Sequence, residues 1–472
     1  MTPLPSVIAT DRLHLEGLIE EAIAVNGLTC SLNHIDVSKI ERFNVLFTRW
    51  PRFNGDISQW DTSSATSMNA MFFQSWFKGD ISKWNTSNVT DMDGMLKNSK
   101  FNGDISSWDV SKVETMKEMF EKSQFNGYLS KWDTSSVGMM TAMFKDSKFN
   151  KDISQWNVSA VVDMKDMFVG SKFNKNIANW DVSKVRTMEN MFFKSKFNGD
   201  LSKWSVGMVR NFSGMFSYSP FNSDISQWNT SRATQMDAVF MQTPFNSDIS
   251  GWDVSNVVTM QRMFQEGRFN GDLSEWNVSN VTNMWRMFAW CEPFNGNVST
   301  WDVSKVHNLN EIFCGTQFNG DVSKWDVGAV RDLSGAFRKT PFNGDLSKWD
   351  VSNATDLSIM FYESVFAQDV SMWRLRPQAK MTNMCFKNPH FLPVQSMTPW
   401  VVKLYIETGE TPKAPEWATA FSDVQPVAKA LGLDLGENVR AVLDAHCRIM
   451  QSMGSMIDLE GPVDSKMFES QA

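Results

Sequence analysis

Aspartate is the residue type whose spacing in this sequence most suggests a chemical site, because it recurs with a period of 24 residues. One column of acids stands before Ile or Leu, for example Asp56, Asp80 and Asp104, and a second column of Asp or Asn follows a repeated Trp. Acids stacked about 4.8 Å apart could hold calcium through oxygen ligands. Asp and Asn also bond the backbone of nearby turns. We favour turn chemistry for both columns, with weak cation sites as the alternative, and expect no metal and no cofactor.

The histidines and cysteines are few and scattered, which argues against a catalytic or metal centre. They are His14, His34, His307, His390 and His446, with Cys30, Cys291, Cys314, Cys385 and Cys447. No histidine has metal-ligand spacing to a cysteine, and the adjacent His446 and Cys447 would point in different directions on a helix. The sequence contains no Gly-rich phosphate loop and no nucleophile elbow. We therefore predict no enzyme and no catalytic residue.

The tryptophans reveal the elements that must position these side chains. The protein has 20 Trp and 35 Phe but only 4 Tyr among 472 residues, which points to one short pattern copied many times. Fourteen tryptophans mark one position of a repeat of 24 residues, with a single step of 25: Trp60, Trp84, Trp108, Trp132, Trp156, Trp180, Trp204, Trp228, Trp252, Trp276, Trp301, Trp325, Trp349 and Trp373. A representative repeat, called a coil below, is FNGDISSWDVSKVETMKEMFEKSQ, residues 101–124.

Within a coil, local patterns predict short elements. Phe101, Ile105 and Trp108 flank an alternating stretch, residues 103–106, that predicts a strand. The later apolar residues recur at the spacing of one helical face, and they are Val113, Met116, Met119 and Phe120. A second extended piece at this Val-x-x-Met step is an equal alternative. Asn follows the Phe in 12 of 14 coils, and we predict a ladder in which each Asn bonds the backbone of the next coil.

The domain organisation follows from the repeat. A single coil cannot bury its apolar side chains alone, so the coils must stack as a solenoid. We place this solenoid, 14 coils and a leading half coil, at residues 32–387. Residues 1–31 form an N-terminal cap with an amphipathic helix over Thr10–Asn26. Residues 388–472 form a Pro-containing C-terminal region with a helix over Glu437–Met450, interpreted as a small cap, with a separate attachment or delivery module as the alternative.

Composition limits the partners. A net charge of -8 argues against a general nucleic-acid binder, which needs a basic face. No apolar run approaches the roughly 20 residues that span a bilayer. The first 27 residues lack a basic segment followed by an apolar core, so no secretory signal is predicted. The odd, scattered cysteines argue against a disulfide framework and favour a reducing compartment.

The repeat resembles that of a known family. FNGDISSWDVSKVETMKEMF, together with the opening LNHIDVSKIERFNVLF, is similar to the BspA-like leucine-rich-repeat surface proteins, and the similarity extends from Leu32 to about Phe386. It implies an α/β repeat solenoid, a leucine-rich-repeat-like right-handed superhelix with a parallel sheet along one side. It also implies adhesion or recognition without catalysis. Members are typically exported and anchored, and because the expected signals are missing here, we expect a cytoplasmic, non-classically exported or virion-associated protein.

A ligand would contact the position that varies most from coil to coil. This variable column lies between the Ser and the Trp, on the predicted strand: Gln59, Lys83, Ser107, Lys131, Gln155, Asn179, Lys203, Gln227, Glu275, Lys324 and Lys348, with Gly251, Thr300 and Met372 at the same position. A solvated face without a ligand is the simpler alternative. We predict a non-enzymatic recognition protein that binds a protein or glycan along this face. The alternatives are a rigid component of a phage tail or similar assembly, and an effector with activity in residues 400–472.

Overall fold

The computed structural model describes residues 6–388, except 371, 377–378, 383 and 386. Two compact units, Met1–Asn297 and Val298–Ala472, divide the chain. Apart from Asn388, the predicted C-terminal region at 388–472 and its helix over Glu437–Met450 lie outside the described residues. Among the residues described, no helix combines the length and apolar character needed to cross a membrane.

The first unit begins with two short strands and one helix. Strand β1, Val7–Ile8, pairs in parallel with strand β2, Ile35–Asp36. Helix α1 lies between them at Arg12–Asn26, close to the predicted bounds. The Asp11 side chain accepts the backbone N–H of His14 and caps the start of α1, and Gly27 ends it with φ 78°. A short 3-10 helix follows at Leu46–Arg49.

In the first unit, the repeat tryptophans form a continuous buried column. Trp60 and Trp84 are 4% exposed, and their ring centres lie 6.2 Å apart with nearly parallel planes. The indole Nε1 of Trp84 donates to the backbone oxygen of Ile57 in the preceding coil, at 3.1 Å. Trp180 makes the equivalent bond to Ile153 at 3.2 Å. A buried N–H is therefore satisfied at each step by the coil before it.

Two columns of phenylalanine pack beside the tryptophans. Phe101 and Phe125 occupy the first position of consecutive coils, with ring centres 6.4 Å apart. Phe120 stacks on Phe125 at 4.6 Å and on Phe144 at 5.5 Å. The inward side chains predicted for this coil are all buried: Phe101, Ile105, Trp108, Val113, Met116, Met119 and Phe120. The predicted inward face is confirmed.

The predicted helical turn is wrong, and the extended alternative describes part of this segment. Thr115 forms parallel bridges with Asp91 and Met139, one coil before and one coil after. Glu118 and Lys122 have φ of 56° and 54°, in the left-handed region that a right-handed helix excludes. Because the chain reverses its twist at these residues, its amides turn toward the neighbouring coil instead of bonding along a helix. The N–H of Glu118, for example, donates to Thr141 O at 2.8 Å.

The strand expected over residues 103–106 is also wrong. The Trp108 N–H donates to Ile105 O at 3.2 Å, so Ser106 and Ser107 are the central residues of a turn. The Asp104 carboxylate accepts the N–H of Ser106 at 2.9 Å and favours this turn over an extended chain. The variable column therefore lies on turns and not on a strand.

The asparagine ladder is confirmed. The side-chain oxygen of Asn102 accepts the backbone N–H of Asn126 at 2.7 Å, and Asn126 in turn accepts the N–H of Asn150 at 2.9 Å. A second polar column lies deeper, where the Ser123 hydroxyl, 1% exposed, accepts the N–H of Phe125 at 2.9 Å. These bonds satisfy backbone groups that lie between coils.

The second unit repeats these contacts among its own residues. Trp325 Nε1 donates to Val298 O at 3.0 Å, and Trp373 Nε1 donates to Leu346 O at 2.8 Å. Parallel bridges link, in order, Asn308, Asp332, Asp356 and Lys380. The same 24-residue pattern thus produces the same pairing in each unit.

Replacing Trp180 by Phe tests the indole bond. The Trp180→Phe variant leaves the Ile153 carbonyl buried without its donor and opens space beside the ring, so we expect a loss of about 2 kcal/mol or more in the free energy of unfolding. Urea denaturation of the full chain measures this loss. Trp76, which is 54% exposed, provides the control, because Trp76→Phe should cost less than about 0.5 kcal/mol. Equal losses would show that the bond contributes nothing specific.

A pair of Ala-to-Gly substitutions tests the left-handed backbone. Ala238 has φ 52°, where a β-carbon is strained, so Ala238→Gly should raise the free energy of unfolding by about 0.5–1 kcal/mol. Ala160 is at a turn without positive φ, and Ala160→Gly should lower it by a similar amount. Thermal unfolding of both variants shows whether the stability rises in one variant and falls in the other. Shifts of the same sign would contradict the assigned backbone.

Candidate binding surface

The two acid columns bond their own turns. In the first column, the N–H of Ser106 donates to Asp104, and this bond is the main reason that the Asp104 pKa lies below its usual value. In the second, the hydroxyl and N–H of Ser111 donate to Asp109 at 2.7 and 3.0 Å and lower its pKa. Where Asn176 replaces the acid, it accepts the N–H of Ala178 at 2.9 Å in the same way. Turn chemistry therefore accounts for the columns without an ion.

In the described part of the chain, the side chains that could bind a metal or react as thiols are not assembled into a site. No group of three or more His, Cys, Asp or Glu side chains is placed there to hold a metal ion. The cysteines it contains, Cys30, Cys291, Cys314 and Cys385, are buried. Burial raises the pKa of Cys291 to about 12, which keeps its thiol protonated at neutral pH. His390, His446 and Cys447 lie outside the described residues.

The variable column is exposed throughout. Each member follows a buried Ile, Leu or Val by two residues and precedes a buried Trp, so its side chain lies at the outer corner of a turn. In the first unit the exposed members are Gln59, Lys83, Ser107, Lys131, Gln155, Asn179, Lys203, Gln227 and Glu275, and in the second unit they are Lys324 and Lys348. The structure brings these side chains to equivalent positions of consecutive coils, as the spacing predicts.

Four of the five lysines of this column lie beside acids, and the exception is Lys131, whose coil has Tyr128 at the acid position. The pKa of Asp80 is lowered first by the N–H of Ser82 and to a smaller extent by the charge of Lys83. The same order of causes applies to Asp200, where Lys203 is the neighbouring cation. Because most of these lysines lie beside an acid, the variable column offers hydrogen-bonding groups more than a net positive field.

A cluster of aromatic and cationic side chains lies on the segment with left-handed residues, and the sequence did not predict it. The guanidinium of Arg262 lies 4.2 Å from the Trp285 ring centre, and Lys194 lies 5.3 Å from that of Tyr218. The one available signal is that Trp285 interrupts the repeat. Among the other tryptophans outside the repeat column, Trp290 is 41% exposed and Trp50 is half-buried, while Trp400 and Trp417 lie outside the described residues.

Asp104 is suited to a test of the acid column. Asp104→Ala removes the acceptor of the Ser106 N–H, with an expected loss of about 0.5–1 kcal/mol at pH 7 at this exposed site. Asp104→Asn should lose less, because Asn176 performs this role elsewhere. Because the folded-state pKa of Asp104 lies below 3.8, the part of its stabilising effect that depends on charge is present above pH 3.8. This part disappears as the pH falls through the lower folded-state pKa.

Urea midpoints at pH 7 and pH 3 measure these losses. The wild-type protein should lose stability as the pH falls below about 4, because folding lowers the pKa of acids such as Asp80, Asp104, Asp109 and Asp181. Asp93 and Asp237, whose pKa values are raised mainly by burial, act in the opposite direction. If Asp104→Asn lost as much stability as Asp104→Ala, the proposed turn contact would be wrong.

Comparison with known proteins gives a family but no function. The family described as "Mycoplasma protein of unknown function, DUF285" matches residues 16–127, 98–195, 218–317 and 286–400. No curated protein and no solved structure matched the chain. The four matches overlap in two pairs and together cover residues 16–195 and 218–400, about three quarters of the sequence. The chain is therefore a repeat protein that belongs to the DUF285 family.

Proposed function

We propose that this chain is a non-enzymatic recognition protein of the BspA-like type, which binds a protein or a glycan along its repeats. In this proposal the coils form a leucine-rich-repeat-like, right-handed solenoid, and the parallel bridges along the Thr115 position belong to its sheet. Helix α1 caps the first coil, where Leu15 and Ile19 are buried. The partner contacts the variable column.

The observation that carries this proposal is the separation of constant from variable side chains. The recurring polar residues of a coil, such as Asp104, Asp109 and Asn102, bond backbone groups of their own or the next coil. The variable column differs in charge and size from one coil to the next while its backbone turn is retained. A surface that varies on a constant scaffold is typical of repeat proteins that bind other macromolecules.

The spacing of the column also favours an extended partner. Hydrogen-bonded neighbouring chains lie about 4.8 Å apart, so the side chains of consecutive coils are close enough for one ligand to contact several of them. Lys83, Gln155 and Asn179 supply donors, and the acids beside the column supply acceptors. Such a mixture suits hydrogen bonding to peptide groups or sugar hydroxyls.

Arrays of glycans and of proteins, probed with the full chain, test this proposal. We expect a reproducible ligand whose binding falls at least tenfold in the triple variant Lys83→Glu, Lys131→Glu, Lys203→Glu. The matched control reverses three exposed lysines at another turn of the coil, Lys39, Lys112 and Lys184, and should retain binding. A chain that binds neither array would contradict recognition and favour a structural role in an assembly.

A further inference from the structure

A second surface of the first unit carries more positive charge than the equivalent segments of later coils. In three consecutive coils, exposed or half-exposed lysines occupy the same two positions, except that the second position of the third coil is not a lysine. We call these five residues the lysine edge: Lys148, Lys151, Lys172, Lys175 and Lys196. Segments 148–152, 172–176 and 196–200 contain five lysines and two aspartates, a net charge of +3. The equivalent segments 220–224, 244–248 and 268–272 contain one arginine and three aspartates, a net charge of -2. The edge is therefore a local feature and not a property of the repeat.

The lysine edge is regular because the backbone beneath it is regular. The N–H of Lys148 donates to Ser123 O in the preceding coil, and the N–H of Lys196 donates to Ser171 O. Lys148, Lys172 and Lys196 thus form one row with a step of about 4.8 Å, the spacing of hydrogen-bonded neighbouring chains. Lys151 and Lys175 form a second row, three residues further along each segment. Two parallel rows of ammonium groups present a line of positive charge.

The acids of the repeat offset only part of the lysine charge at this edge. In the column of Asp104, Asn176 replaces the acid within the edge and Tyr128 replaces it one coil earlier, which leaves Asp152 and Asp200. The pKa of Asp152 is lowered first by the N–H of Ser154 and also by the charge of Lys175. Within the described part of the chain, Lys148, Lys172 and Lys196 form no ion pair with any carboxylate. Their charges are thus available to an external anion.

Neutral donors and a groove accompany these charges. Asn150 and Asn174 lie between the rows, and their side-chain oxygens accept the backbone N–H of Asn174 and Asn198 at 3.1 Å. Their amide groups have no acceptor among the described residues, so they remain able to donate. A surface groove of about 510 Å³ runs beside the first row in the preceding coils, and it is lined by Lys78, Lys100, Asn102, Gly103 and Gln124. Gln124 and Lys148 occupy the same position of consecutive coils, so the groove continues the edge.

We propose that the lysine edge binds a linear anionic polysaccharide whose carboxylate or sulfate groups lie along the two lysine rows. This inference rests on the proposed recognition function and names one class of partner for it. Single-stranded nucleic acid fits less well, because its sites stack successive bases on aromatic side chains. The exposed aromatic side chain at this edge is that of Tyr128, which is 67% exposed, and its ring centre lies 4.8 Å from Lys151 Nζ. One ring does not provide a stack for successive bases. Asn donors between the rows suit sugar hydroxyls.

Binding measurements with the full chain test the inference. The probes are fluorescent dextran sulfate, polygalacturonate, uncharged dextran and a single-stranded oligonucleotide, at about 50 mM and 150 mM salt. We expect binding to at least one anionic polysaccharide, none to dextran, and weaker binding at the higher salt concentration. The triple variant Lys148→Gln, Lys172→Gln, Lys196→Gln should bind at least tenfold more weakly.

The matched control is Lys39→Gln, Lys112→Gln, Lys184→Gln, which removes the same charge at exposed lysines outside the edge. It should keep its affinity within about twofold. A third variant with Lys→Arg at 148, 172 and 196 should retain binding, which separates loss of charge from loss of folding. Equal losses in the two Gln triples, no binding of either anionic polysaccharide, or tighter binding of the oligonucleotide would each overturn the inference. A ligand found on the arrays that is insensitive to the edge would leave the proposed function standing, whereas no ligand at all would overturn both.

Discussion

The bond from a repeat tryptophan to the coil before it, which recurs within each unit, is the interaction on which the rest of the structure depends. An indole is large enough to fill the space between coils, but its N–H needs an acceptor when it is buried. In Trp84, Trp108 and Trp132 that acceptor is a backbone oxygen 27 residues earlier, at 3.0–3.1 Å. The bond fixes the register between coils, and the aromatic columns and parallel bridges follow that register. Phe would fill part of the space without an N–H, and Tyr would place its hydroxyl elsewhere.

Constant acids are poor guides to function in a protein of this kind. Asp104 and Asp109 recur because a tight turn needs an acceptor for the N–H two residues later, and that need exists in every coil. Departures from the pattern carry more information. Tyr128 and Asn176 interrupt the acid column beside Lys151 and Lys175, and these combined changes produce the lysine edge.

The sequence alone predicts the coil length, the inward residues and the asparagine ladder, because each depends on a residue type that recurs at one position. Trp108, Phe120 and Asn102 are examples. The local backbone could not be predicted in this way. The left-handed residues include Glu118, Lys122 and Tyr218, residue types that rarely adopt this conformation, so composition gave no signal for them. The sequence places the variable column on an outward-facing strand. The structure also exposes this column, but it does so because residues such as Ser107 lie on a turn that begins at Ser106.

Hydrogen bonds between neighbouring coils give a coil two different sides. Amides of Met116, Glu118 and Phe120 donate to the following coil, whereas the amide of Glu114 donates to the preceding one. The two sides are complementary and not identical, which is a heterologous, head-to-tail contact. Duplicating or deleting one whole coil therefore recreates the same junction. A one-residue insertion is also accommodated where it falls in a turn, because Asn270 still accepts the N–H of Asn295, 25 residues later, at 2.7 Å. Duplication or deletion of a complete repeat in the gene can thus lengthen or shorten the exposed variable column without redesigning the core.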